Sequence, residues 1–207
     1  MPVAWDDDNA HDEKLIARNV RTVLHQIVDE AGARQTPTVA IAQHWHRDLY
    51  RDIVLPVAYF AGEVRDSDPQ FPELYGYEVQ VGQHLGVLSA DVHDALAEFE
   101  RTFADAVAAV DERVLDHELS AEGAELYVTL VAVAHGEWIR IHPFANGNGR
   151  TARLWTHWLA ARYDLPPLLR VKPRPNDRLY GLASGASMTG DHTIMRAWLL
   201  ENDSVLR

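Results

Sequence analysis

Residues 121–163 constrain this chain more than any other stretch. Two runs of helical character are separated there by a loop rich in glycine. Ala121 to Ile139 is the most apolar run, with Leu126, Leu130, Val133 and Trp138. It reads as a central helix. A second helix is expected from about Asn148 to Tyr163, ending before Pro166-Pro167. Between them the chain reads I-H-P-F-A-N-G-N-G-R-T-A-R from Ile141 to Arg153.

That segment carries a chemistry. A glycine lets the backbone approach an anion closely. A loop that opens into a helix aims unpaired N–H groups and a positive dipole end at the anion. Gly147, Asn148 and Gly149 are therefore the candidate cradle. Arg150 and Arg153 stand three apart, on one helix face, where both can reach a polyphosphate. Guanidinium pairs with phosphate in two parallel bonds, which accounts for arginine rather than lysine. His142 supplies a base that works near neutral pH. Other phosphate loops do not fit. A Walker-type loop needs G-x4-G-K-[ST], and the chain has no Gly-Lys pair. A dinucleotide fingerprint needs a third glycine after Gly147 and Gly149.

Charge points the same way. The 207 residues carry a formal net charge of −12, which argues against a general nucleic-acid or anionic-membrane binder. Yet Arg140 to Arg178 holds eight basic residues against two acids, so the remainder carries −18. One cationic segment in an acidic chain suits a small polyanion. Arg162, Arg170, Lys172 and Arg174 belong either to that site or to a solvated surface. There is no cysteine, so disulfides and thiolate metal sites are excluded. No run approaches the roughly 20 apolar residues of a membrane span. The acidic start, M-P-V-A-W-D-D-D, lacks the features of a signal peptide, so a cytoplasmic setting is expected.

Elsewhere the pattern is helical. Helices are expected over 11–31, from a Thr36-Pro37 start to about Tyr50, from a Ser89 cap to about Leu115, and over 176–185 and 191–202. The stretch 52–89 is rich in proline and glycine. Within it Tyr75 to Val81 alternates like a strand and predicts a short hairpin. The fold class is therefore all-α with one small β-hairpin. His44 and His46 are two apart on a helix, face different directions, and make a poor metal pair.

The segment 142–153 resembles the Fic (Fido) family signature, H-x-F-x-[D/E]-G-N-G-R-x-x-R. His142, Phe144, Gly147, Asn148, Gly149, Arg150 and Arg153 agree in type and spacing, and Asn146 replaces the usual carboxylate. Residues 49–65 also look like the family's approach to its flap. The likeness covers about residues 40–200, and residues 1–35 read as an N-terminal segment and helix packed on a Fic-like domain of 36–207.

The resemblance implies a helical bundle with a β-hairpin flap over the site. It implies an enzyme that transfers AMP from ATP to a Ser, Thr or Tyr hydroxyl of a protein, with Mg²⁺. His142 would be the base, Phe144 the loop's anchor, and Arg150 and Arg153 the contacts to the β and γ phosphates. Tyr180 falls where the family often contacts the nucleoside, with Asn176 and Arg178 nearby. Asn146 is either a weakened Mg²⁺ ligand or a turn residue. Tyr75, Tyr77 and Val79 either dock a target peptide by strand addition or form a plain hairpin. A module that binds nucleotide or partner with little catalysis, as half of a toxin–antitoxin-like pair, is the alternative. A separate inhibitor protein is a further implied partner, because the family's inhibitory motif has no full match here. Ala197-x-x-x-Glu201-Asn202 lacks the hydroxyl residue.

Overall fold

The computed structural model describes Val3, Trp5 and residues 9–65, 70–115 and 118–202. Helix α1 spans Ala10–Gly32. Asn9 caps it by accepting the Asp12 N–H at 3.0 Å, and Asp12 and Glu13 place acids at its positive end. Ile16, Val20, Val23, Ile27 and Ala31 form its buried stripe. Asn19 is buried with them. Its amide donates to the carbonyls of Leu49 and Arg51, at 3.0 and 2.7 Å, and so closes the end of the next helix.

That helix, α2, is Val39–Leu49. It begins two residues later than the Thr36-Pro37 reading places it. Thr38 is the residue whose hydroxyl accepts the Ile41 N–H, and Glu100 takes the Val39 N–H at 2.6 Å. With those donors satisfied from 38 onward, Pro37 lies outside the helix.

The paired strands of the hairpin are β1, Gln80–Val81, and β2, His84–Leu85, joined through Gly82 at φ 62°. They lie at the end of the predicted 75–81 stretch and beyond it. Tyr77 lies outside the paired strands: its N–H closes a turn onto Leu74 O at 3.1 Å, and its carbonyl accepts from the Arg65 guanidinium. Ser89 does not cap the following helix. Its N–H and hydroxyl both bond Glu78, at 3.0 and 2.7 Å, and a 3-10 turn over Ser89–Asp91 intervenes. Helix α3 then runs Val92–Asp111, shorter than the Leu115 reading. A second hairpin replaces its last turn, with β3 at Val114–Leu115 against β4 at Glu118–Leu119.

Helix α4 is Ala121–Ile141, capped by Ser120 on the Gly123 N–H at 3.1 Å. Helix α5 is Asn148–Arg162. Helices α6, Arg178–Ser187, and α7, Thr193–Asn202, follow. α4 packs against α3, α5, α6 and α7, and α5 also meets α1 and α2. An aromatic cluster fills the centre. Trp155 contacts Trp45, Trp138, Phe99 and Phe103 at centroid distances of 4.7 to 5.9 Å. All-α architecture with small hairpins follows, and the bundle fixes the end of α4 and the start of α5 side by side. Among the described residues no helix is long and apolar enough to cross a membrane.

Candidate active site

The junction of α4 and α5 opens on a cavity of about 900 Å³. His142, Asn146, Gly147, Asn148, Gly149, Arg150, Arg153 and Tyr180 all line it. The structure therefore brings these eight residues to one cavity. Asn176 and Arg178 do not line it.

His142 ends α4 in the left-handed region, at φ 53° and ψ 56°. That conformation costs a residue other than glycine about 1–3 kcal/mol and needs support. Its Nδ1 lies 3.0 Å from the Ile139 carbonyl. A carbonyl only accepts, so Nδ1 carries the proton and Nε2 of the neutral ring is a bare lone pair. Burial holds the imidazole pKa down at about 4, the Ile139 bond opposes this, and the Arg65 cation adds to the lowering. The ring is thus a free base at neutral pH.

Arg65 supplies the support, and sequence reasoning missed it. Its side chain is wholly buried. Nε donates to the His142 carbonyl at 2.6 Å, and Nη2 to those of Ile141, at 2.7 Å, and Val87. Nη1 reaches Tyr77 O at 3.3 Å and the Glu78 carboxylate at 3.5 Å. One guanidinium therefore ties both roots of the hairpin to the end of α4. Burial lowers its pKa to about 10 against the pull of Glu78, so it remains a cation. No periodic pattern marks such a residue, since most of its partners are main-chain carbonyls.

The loop itself is braced from α2. Gly62 N–H donates to His46 Nδ1 at 2.9 Å, so the proton of His46 sits on Nε2 and is donated to Asn146 O, also at 2.9 Å. The same ring stacks on Phe144, centroids 3.8 Å apart, and Phe144 is fully buried as the loop's anchor. Gly147 has φ 78°, and a Cβ there would lie 2.6 Å from Tyr50 Oη and 2.8 Å from His46 Nε2. Only glycine fits on both counts. Asn148 is buried and its amide bonds both backbone groups of Phe144, at 2.9 and 2.8 Å. Its side chain thus closes the loop. What it can offer an anion is its main-chain N–H at the start of α5.

Arg150 donates to Tyr50 Oη and lies over that ring, 5.7 Å from its centroid. Arg153 is nearly buried. Its Nε donates to Val171 O at 3.0 Å and its Nη1 to Tyr180 Oη at 3.2 Å. Lys172 and Arg174 also line the cavity, with Glu13 of α1 opposite, 3.3 Å from Lys172. Of the four cations left open by the sequence, these two join the site. Arg162 does not, being paired with Asp111 at 2.6 Å, and Arg170 is not in the lining.

Asn146 is turned into its own loop. Its Oδ1 accepts the Gly147 N–H at 2.6 Å and its Nδ2 donates to Trp5 O at 3.3 Å. Among the described residues no group of three or more His, Cys, Asp or Glu is placed to hold a metal. Asn146 Oδ1 is thus a neutral oxygen on the cavity wall that already accepts one hydrogen bond, and the Glu13 carboxylate lies in the same lining.

A neutral histidine at a helix end, a glycine turn and two arginines on the next helix thus meet on the wall of one cavity in a helical domain. The Fic/DOC family model matches residues 37–160, and the chain belongs to that family. It is 43% identical over 49 residues to "Protein adenylyltransferase Fic" of Drosophila yakuba, a match covering 24% of this chain and 10% of that protein. The protein of the same name in Drosophila melanogaster is 44% identical over 45 residues, 22% of this chain and 9% of that one. The chain thus matches about a tenth of the length of these curated relatives. Its fold is similar to the crystal structure of the effector BepC of Bartonella tribocorum with bound AMPPNP, with TM-score 0.57, 16% identity, and coverage of 97% of this chain and 91% of that chain. A Fic domain signalling protein from Bacteroides thetaiotaomicron gives TM-score 0.57 and 19% identity, over 95% of this chain and 72% of that one.

Proposed function

We propose that this chain is a protein adenylyltransferase that moves AMP from ATP to a Ser, Thr or Tyr hydroxyl of another protein. The observation that carries the reading is the tautomer of His142. Its Nδ1 is tied to Ile139, so a lone pair remains at Nε2 on the wall of a cavity that begins α5. Nε2 takes the proton of the hydroxyl. The freed oxygen forms a bond to the α-phosphorus, the bond from that phosphorus to the bridging oxygen breaks, and pyrophosphate leaves with the electron pair. The first N–H groups of α5 face the phosphates, Arg150 meets the β-phosphate and Arg153 the γ-phosphate. Catalysis is then mostly positioning and electrostatic stabilisation. The names of the curated relatives and the AMPPNP in the BepC structure support ATP as the donor.

Mg²⁺ bound with the nucleotide would offset the charge of the phosphates, and Asn146 Oδ1 on the cavity wall would be its candidate ligand from this chain. The wall of the cavity includes Tyr180, whose buried ring is suited to border the nucleoside end. Val81, Gly82, Gln83 and His84 of the hairpin also border the cavity, and Tyr75, Val81 and Leu85 are exposed. A target segment presenting the hydroxyl would lie along this hairpin, extending over 75–81. A separate inhibitor protein and a cytoplasmic setting remain part of the reading.

Asn146 favours a second reading. Its amide is committed to Gly147 and Trp5 and brings no charge to a metal. A domain that binds nucleotide or a partner with little turnover, as in a toxin–antitoxin-like pair, accounts for that. Incubation with α-labelled ATP and Mg²⁺ decides between them. Covalent label on the chain or on an added protein, with release of pyrophosphate, supports transfer. Saturable ATP binding without label or pyrophosphate supports the binding module.

A further inference from the structure

Helix α4 does more than deliver His142. Two turns earlier His135 lies wholly out of solvent, with its Nε2 3.0 Å from Tyr180 Oη. The same phenol oxygen is 3.2 Å from Arg153 Nη1. A guanidinium only donates, so Tyr180 accepts from Arg153. The phenol proton then needs an acceptor, and His135 Nε2 is in reach. If Nε2 carried a proton instead, the phenol O–H and His135 Nδ1 would both be buried without partners. With Nε2 accepting, Nδ1 is the single orphan, and His135 Nδ1 is indeed buried with no partner. The bonds therefore run in one direction, from Arg153 to Tyr180 to His135, and each strengthens the next. Burial, with the charges of Arg153, His192 and Arg174, keeps His135 neutral by lowering its pKa to about 3, so the acceptor persists through the neutral range.

A histidine kept only for packing gains nothing from an orphaned nitrogen that an apolar side chain would lack. We infer that His135 is a positioning residue that acts through Tyr180 to aim the Arg153 guanidinium at the terminal phosphates of the nucleotide. The inference rests on the reading that Arg153 meets those phosphates. It assigns Tyr180 a second task besides bordering the cavity, and it places the orientation of the second arginine under the control of the helix that also carries the base.

Calorimetry with Mg²⁺·ATP and with AMP on four variants tests it. Arg153→Ala should lose ATP affinity and keep AMP affinity. Tyr180→Phe and His135→Leu should each weaken ATP by about tenfold, the worth of one charge-assisted bond, with AMP changed less than about twofold. His135→Gln restores an acceptor and should recover most of the ATP affinity, at a melting temperature close to that of His135→Leu. If His135→Leu binds ATP as tightly as the parent, or loses ATP and AMP equally, or is not rescued by glutamine, His135 has no positioning role. If Arg153→Ala shows no preference between ATP and AMP, the phosphate assignment itself fails, and His135 has nothing to aim.

Discussion

Arg65 Nε donates to the His142 carbonyl at 2.6 Å, from a side chain with no exposed surface. His142 therefore stands in its left-handed conformation with a buried cation behind it. The same cation holds Tyr77 and Val87, so the hairpin and His142 share one support. Arg65→Lys keeps a charge but loses the planar fork that serves several carbonyls at once. Transfer rate should fall at least about tenfold while ATP affinity stays within about threefold, because a shift of the proposed base by about 1 Å can cost about a hundredfold without touching the phosphates. Single-turnover rates beside calorimetry check this, and equal losses in both would show that Arg65 supports the whole cavity rather than the base.

The proton on His142 should leave a mark in the pH profile. An ordinary histidine base loses activity below about pH 6.5. Here burial and Arg65 hold the pKa near 4, so the acid limb should be missing at 6.5. His142→Ala should abolish transfer and leave ATP affinity within a few-fold. An acid limb centred near 6.5 in the parent, traced to His142 by its chemical shift, contradicts the arrangement.

Stability should fall over the same range. His135, His142 and His157 have pKa values lowered by burial to about 3, 4 and 4. The unfolded chain binds these protons below about pH 6.5, while the native state refuses them until pH 3–4. Each group's contribution is therefore complete above the unfolded value and is lost as pH falls toward the folded one, at up to about 1.4 kcal/mol per pH unit. Urea midpoints should be flat from pH 8 to 7 and decline from 6 to 4.5. His157→Gln should make the decline shallower.

Gly147→Ala tests the loop brace. Its φ of 78° and the nearness of Tyr50 and His46 leave no room for a methyl group. A cost of about 1–3 kcal/mol is expected, a drop of roughly 3–10 °C in Tm for a chain of this size. An unchanged Tm would mean that the turn can open without cost.

Substitutions at Asn146 test the proposed part of that residue in holding Mg²⁺. Asn146→Asp can still accept the Gly147 N–H but places a carboxylate beside the incoming cation. It should lower the Mg²⁺ concentration for half-maximal rate, and Asn146→Ala should raise it. Metal-free ATP should bind Asn146→Asp slightly more weakly, through repulsion between carboxylate and phosphate. Three superimposable Mg²⁺ curves would make Asn146 a turn residue alone.

The parts of the site that the sequence displays are the contiguous ones. His142, the glycines and the two arginines lie within twelve residues, so spacing alone brings them to one helix end. The parts it conceals reach the site from afar. His46, Tyr50 and Arg65 lie 77 to 100 residues before the groups they hold, and their bonds to the loop go mostly to main-chain atoms that any residue carries. Ser89 shows the opposite error. A serine before an apolar run reads as a helix cap, but Glu78 on the hairpin competes for it and wins. The alternation at 75–81 overreaches in the same way: Tyr75 and Tyr77 are held in turns onto Phe71 and Leu74 around Gly76, and only Gln80 and Val81 pair, across the turn at Gly82.

The order of these partners along the chain also sets a sequence in time. The groups that fix His142, namely Arg65 and Ile139, precede it. Those that fix Arg153, namely Val171 and Tyr180, follow it, apart from His135 behind the phenol. Synthesis runs from the N-terminus. A growing chain thus holds the groups that seat His142 while Arg153 still lacks its anchors, and the cavity is completed from the His142 end toward the Arg153 end.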